Sequence, residues 1–353
     1  MVRPAATGQA PEAGATLSPR RRVDLLAAVV LACAVISAAL AVALIPRDVP
    51  GPELSARVYP ARLARHLGNP SAHVQPSGGA WNQPSDIVAL GERWFVLDTG
   101  NNRILELNGD GAVLQVLDQQ RDGRLALRGA MALAGDGRYL YVANSGAAQV
   151  LVLTPEGGVV GTFPVGGVEG EDSSPARPIG LAVAGNGDFL VSDADNHRVL
   201  RYDREGRLLW AAGSGRRAGG EEGFNTPAGL ALDQAGNVYV VDILNGRVVK
   251  LAPDGTFLGQ YGRLGDTAGT LARPKDVAID AAGNVYVSDG LLAAVQVFGP
   301  TGEYRGFIGL KDPADRGSGA LFRAPAGLTI AGPNLYVVDR FASVFVMDLP
   351  GEE

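Results

Sequence analysis

Between residues 227 and 255 the chain reads Pro227-Ala228-Gly229-Leu230-Ala231-Leu232-Asp233, then Gly236-Asn237-Val238-Tyr239-Val240-Val241-Asp242, then Asn245-Gly246-Arg247-Val248-Val249-Lys250-Leu251, and turns at Asp254-Gly255. Gly-Asn and Asp-Gly pairs supply the positive φ angles that tight hairpin turns require, so the apolar runs between them read as strands. Four strands are expected, over residues 229–232, 238–241, 247–251 and 256–261. The second of them, Val238-Tyr239-Val240-Val241, is apolar on both sides, as are Val285-Tyr286-Val287 and Leu335-Tyr336-Val337-Val338. A sheet with one wet face alternates apolar and polar residues. A strand without alternation belongs to a sheet covered on both faces.

The unit repeats from residue 81 onward. The Asp that closes its second strand recurs as Asp98, Asp193, Asp242, Asp289 and Asp339, with Asn144 in the second copy, at intervals of 46, 49, 49, 47 and 50 residues. Units of that length, each holding several short strands, read as the blades of a β-propeller. Small residues head the first strand (Gly180, Gly229, Gly327), where blades crowd around the axis. The expected fold is all-β, a six-bladed β-propeller over residues 81–349.

The motifs Pro-x-Gly-Leu-Ala, Gly-Asn-Val-Tyr-Val-x-Asp and Asp-x-x-Asn-x-Arg resemble those of the NHL-repeat β-propellers, and the likeness covers residues 81–349. The third motif is complete at Asp98/Asn101/Arg103, Asp193/Asn196/Arg198 and Asp242/Asn245/Arg247. The resemblance implies the fold. It leaves the function open, because such propellers include protein-binding, RNA-binding, sensor and enzymatic members.

The last unit ends at Glu353 with no room for a fourth strand. Leu63-Ala64-Arg65-His66-Leu67-Gly68 resembles the fourth strand of the unit above, Leu258-Gly259-Gln260-Tyr261-Gly262. The segment near residues 57–67 is therefore expected to supply the missing outer strand and close the ring, removing two sheet edges.

Ahead of the repeats, residues 1–22 form a short tail ending in Arg20-Arg21-Arg22, and Leu25 to Ile45 carry no charge. A helix over residues 23–45 is long enough for a hydrocarbon core about 30 Å thick, and the preceding arginines place the tail in the cytoplasm. The expectation is a single transmembrane signal anchor, with a cleaved signal peptide as its rival. A Pro-rich linker with the closing strand then fills residues 46–80, and the propeller lies in the periplasm or outside the cell with its loop-rich face away from the membrane.

Beyond residue 24 there are 27 basic and 35 acidic residues, a formal charge of −8. Nucleic-acid binding needs a basic footprint, so none is expected. One cysteine, Cys33, excludes an intrachain disulfide framework, and three histidines (His66, His73, His197) leave little for a histidine-rich metal centre. No nucleophile elbow, phosphate-cradling loop or zinc-protease motif is present, so the motifs do not support catalysis and leave it open.

Two constellations stand out. At the channel mouth Asp86 and Asp276 replace the small residue of the first strand, beside Lys275, Arg273 and Arg323, with Trp81 nearby. The carboxylates would flank the last blade and hold a polar ligand or a divalent cation (calcium or zinc), while the arginines take an anionic group. Otherwise these Asp residues cap local N–H groups. The second constellation is apolar: Ile243 and Leu244, Leu291 and Leu292, and Phe341 stand in the turns after the second strand of three successive blades. A surface turn is normally polar, so these residues mark a surface for a partner protein of the envelope or membrane, or else fold under the loops beside them. The leading expectation is a membrane-anchored binding or scaffold module. A metal-dependent hydrolase or lyase at the channel mouth is the alternative, and a ligand sensor a further one.

Overall fold

The computed structural model describes residues 58–67, 79–168, 174–309, 320–341 and 343–350, all within one compact unit, Leu54–Glu353. The expected tail and membrane span lie outside the described residues. Among those residues no helix is long and apolar enough to cross a membrane.

Among the described residues twenty-four strands form six four-stranded antiparallel sheets. One strand, β1 (Arg62–Leu67), precedes the first blade, which holds β2 (Asp86–Leu90), β3 (Arg93–Asp98), β4 (Arg103–Leu107) and β5 (Val113–Leu117). The second blade holds β6 (Ala132–Gly135), β7 (Leu140–Asn144), β8 (Gln149–Leu153) and β9 (Val159–Pro164). The third holds β10 (Pro178–Val183), β11 (Phe189–Asp193), β12 (Arg198–Tyr202) and β13 (Leu208–Ala212). In the fourth are β14 (Pro227–Leu232), β15 (Val238–Asp242), β16 (Arg247–Leu251) and β17 (Phe257–Tyr261), within two residues of the expected bounds. The fifth comprises β18 (Pro274–Ile279), β19 (Val285–Asp289), β20 (Ala294–Phe298) and β21 (Tyr304–Ile308). The sixth comprises β22 (Pro325–Ala331), β23 (Asn334–Asp339) and β24 (Val344–Asp348), with β1 as its outer strand.

Ring closure follows from that last pairing. Strand β1 runs antiparallel to β24, with Leu67 opposite Val344 and Arg62 opposite Asp348. Leu67 is fully buried between the sixth and first blades, among Trp94, Val96, Tyr336 and Val346. There the rings of Trp94 and Tyr336 stack at 3.9 Å.

Each of the six blade interfaces has its own apolar cluster. This explains the double-sided second strands: Val238, Tyr239, Val240 and Val241 are all buried, the odd and even positions facing different neighbours. Each such side chain contributes about 1.5–3 kcal/mol of burial. The small residues at the head of the inner strands are a packing requirement. A Cβ on Gly327 would lie 2.7 Å from Asp86 Cα, and one on Gly180 or Gly229 would run into the next blade.

The Asp-x-x-Asn-x-Arg motif builds the same latch three times. Asp98 Oδ2 accepts from Asn101 Nδ2 at 2.8 Å and Arg103 Nε at 2.7 Å. Asp193 Oδ2 does so with Asn196 and Arg198 at 2.8 and 3.1 Å, and Asp242 Oδ2 with Asn245 and Arg247 at 2.7 and 3.0 Å. The Asn amide also donates to a carbonyl of the loop leading into its blade, that of Ala80, Ser174 or Ala218. The other Asp oxygen accepts a backbone N–H from the segment entering the blade, at Asn82, Arg177 or Asn225. One buried carboxylate thus ties a turn to the strand that follows it and to the entering segment. The triplet is scaffold.

Candidate functional site

The inner strands enclose a cavity of about 410 Å³ on the propeller axis. An inner strand has no neighbour on its axial edge, so some of its N–H groups face the channel and need acceptors. Asp86 and Asp276 supply them. Asp86 Oδ2 accepts from the Leu133 N–H of the second blade at 2.7 Å, and Asp276 Oδ2 from the Leu328 N–H of the sixth at 2.8 Å. Asp86 also lies against Gly327, so the two carboxylates approach the Gly327-Leu328 step from opposite sides.

Burial raises both acids. It pushes Asp276 to about 7, against backbone N–H donors that favour its charged form. Asp86 is held well above the ordinary carboxylate range by burial first and by the charge of Asp276 second. Two such neighbours do not both ionise readily, so the channel tends to hold a proton near neutral pH.

The cavity wall includes three of the six channel residues expected from sequence: Asp86, Asp276 and Lys275. Arg273 and Arg323 are exposed and lie outside it. Their backbone N–H groups donate to Asp289 and Asp339, at 2.9 and 2.6 Å, fixing them in the entering loops. Trp81 is half-buried and packs against the cluster between the sixth and first blades, away from the channel. In their place the wall carries Arg177 and Arg340. Arg340 follows the closing Asp339, the position that Ile243 takes after Asp242 and that also reaches the wall.

The cations differ in their partners. Arg177 pairs with Asp195 at 2.6 Å, and Arg340 donates to the neutral Gln83 side chain at 2.9 Å. Lys275 is half-buried and, among the described residues, has no ion pair. Burial holds its ammonium below the ordinary lysine value, and the charges of Arg273 and Arg340 push the same way.

Among the described residues no three His, Cys, Asp or Glu side chains converge as a metal centre requires. His66 sits on β1 against Phe345, and His197 in the turn of the third blade accepts the Thr226 N–H at 3.0 Å; His73 lies outside the described residues. The two described histidines therefore serve different blades.

The apolar turns divide. Leu244, Leu291 and Phe341 are 48, 52 and 66% exposed, whereas Leu292 is half-buried and Ile243 is half-buried in the channel wall. Leu264, 62% exposed, joins the exposed set beside the fourth-blade turn, where Gly246 packs against its backbone. Sequence reasoning missed it because it lies in a loop outside the repeat. The corresponding turns of the first three blades carry Thr99-Gly100-Asn101, Ser145-Gly146-Ala147 and Ala194-Asp195-Asn196.

Residues 176–202 match the NHL repeat family. Over 186 residues the chain is 33% identical to human (Homo sapiens) NHL repeat-containing protein 3, covering 50% of this chain and 51% of that one. Over 102 residues it is 31% identical to rat (Rattus norvegicus) peptidylglycine alpha-amidating monooxygenase, covering 28% and 10%. The chain thus spans about half the length of the first relative and a tenth of the second. A Xanthomonas campestris gluconolactonase structure superposes with a TM-score of 0.57 at 19% identity, covering 84% of this chain and 96% of that one, a likeness of fold alone.

Proposed function

We propose that this NHL-repeat six-bladed β-propeller is a protein-binding module that meets its partner through the turns of its fourth, fifth and sixth blades. The observation that carries the reading is the half-ring of exposed Leu244, Leu264, Leu291 and Phe341. Exposed apolar groups also occur on the outer strands, as at Leu114, Val160, Leu209 and Leu258. Those recur blade by blade as isolated positions. The apolar turns are confined to one half of one face, where the other half is polar, and clustered aromatic and leucine groups on a rigid scaffold are what a partner desolvates.

In this reading residues 23–45 anchor the chain in a membrane, the propeller stands outside the cytoplasm, and the partner is an envelope or membrane protein. The fold alone does not separate this module from hydrolase, lyase or sensor propellers. A metal-dependent hydrolase or lyase is less supported, since the channel mouth offers two carboxylates that are already occupied by backbone N–H groups.

Charging the face tests the reading. The double variant Leu291→Asp/Phe341→Asp is expected to lose partner recovery in pull-downs from solubilised membranes. Its melting temperature should stay near wild type, because surface substitutions change stability by about 0.5 kcal/mol or less. Recovery at the wild-type level would remove this surface.

A further inference from the structure

The channel has a charge asymmetry that the turns do not explain. Among the described residues Arg177 is matched by Asp195, whereas Arg340 donates to an amide oxygen and Lys275 has no ion pair. Asp86 and Asp276 do not serve as counter-ions, because their oxygens are committed to backbone N–H groups and both are pushed toward the neutral form. The mouth therefore presents two cations, Lys275 and Arg340, that are not ion-paired among the described residues, with the charge of Asp289 acting on Lys275 only from beyond contact. Below it the cavity continues along the inner strands past Leu181, Leu230 and Ile279 to Leu232 and Ile330. One end offers cations and the rest offers aliphatic walls.

We propose that the channel binds a small amphipathic monocarboxylate, with its carboxylate on Lys275 and Arg340 and its apolar body between the aliphatic inner strands. The anion supplies a counter-charge to these cations, and its body lies in a cavity of about 410 Å³, a volume typical of small-molecule pockets. Arginine and lysine together provide a planar fork and a point charge for one carboxylate.

The test is isothermal titration calorimetry of the full chain with 4-phenylbutyrate and with the neutral 4-phenyl-1-butanol, in buffer containing a chelator. The carboxylate should bind at least about tenfold more tightly than the alcohol, and Lys275→Met should remove at least about tenfold of its affinity. Arg340→Gln should weaken it in the same sense, while Leu114→Asp, on an exposed outer strand away from the channel, leaves it unchanged. An unaltered melting curve for Lys275→Met excludes unfolding as the cause. Equal affinity for acid and alcohol, no binding of the acid, or binding that appears only with added calcium or zinc would overturn the proposal.

Discussion

Asp289 Oδ1 accepts the backbone N–H of Leu291 at 3.0 Å while the Leu291 side chain stands half exposed to solvent. In the fourth blade the equivalent Asp242 spends one oxygen on the side chains of Asn245 and Arg247. The fifth blade has neither, and Asp289 holds the turn by its backbone instead, taking the N–H groups of both Leu291 and Leu292. Asp339 does the same with Phe341 at 2.9 Å. A turn latched through its backbone leaves its side chains free of structural duty. That is how two blades can display Leu291 and Phe341 without loosening the ring.

The side-chain latch has a measurable worth. Asp193→Ala leaves Arg198, whose side chain is 1% exposed, without its buried carboxylate. Unfolding experiments should show a loss of roughly 3–5 kcal/mol, as for a buried pair broken on one side. Asp195→Ala breaks the solvent-exposed pair with Arg177 and should cost no more than about 1 kcal/mol.

Ring closure should be equally visible. Removing residues 58–67 takes away β1 with buried Leu67 and Tyr59 and exposes the edge of β24. At about 1.5–3 kcal/mol for each large side chain, the melting temperature should fall by more than about 5 °C. An unchanged melt would mean that β24 does not depend on this strand.

The channel acids give stability a pH signature. Their folded pKa values lie above the unfolded value near 3.9, so the stability they contribute is complete below that pH and is lost as pH rises through about 7. An Asp86→Asn/Asp276→Asn variant lacks this dependence. Its melting temperature relative to wild type should therefore increase between pH 4 and pH 8, and a constant difference would contradict the raised values.

His197 should titrate the opposite way. Burial, and then the charge of Arg217, lower its pKa, and its Nδ1 accepts the Thr226 N–H. Its contribution to stability is present above the unfolded value near 6.5 and is lost as pH falls toward the lower folded value. Its imidazole resonances should titrate with a midpoint below about 6.5. A midpoint at or above that value would show that the Thr226 contact does not hold it neutral.

The propeller was legible because its signals are local and repeated: Gly-Asn and Asp-Gly turns, strands apolar on both sides, and an Asp returning every blade. Strand β1 was legible because Leu63 to Gly68 imitates an outer strand. The site was less so. Arg273 and Arg323 precede inner strands, as channel residues would, but the bonds of their N–H groups to Asp289 and Asp339 place them in the entering loops. Arg340 reaches the channel from a turn, and Leu264 reaches the surface from a loop outside the repeat; neither follows a period that strand patterning reveals. Direction in loops is set by tertiary contacts, which a single chain's periodicity does not encode.

The central claim is that the turns of the last three blades meet a partner, and a photo-crosslinking residue at position 291 in intact membranes tests it most directly. The account predicts one dominant protein adduct that disappears when Phe341→Asp is added and is absent when the probe is moved to position 195 in the polar turn of the third blade. No adduct at position 291, or the same adduct from both positions, would contradict it.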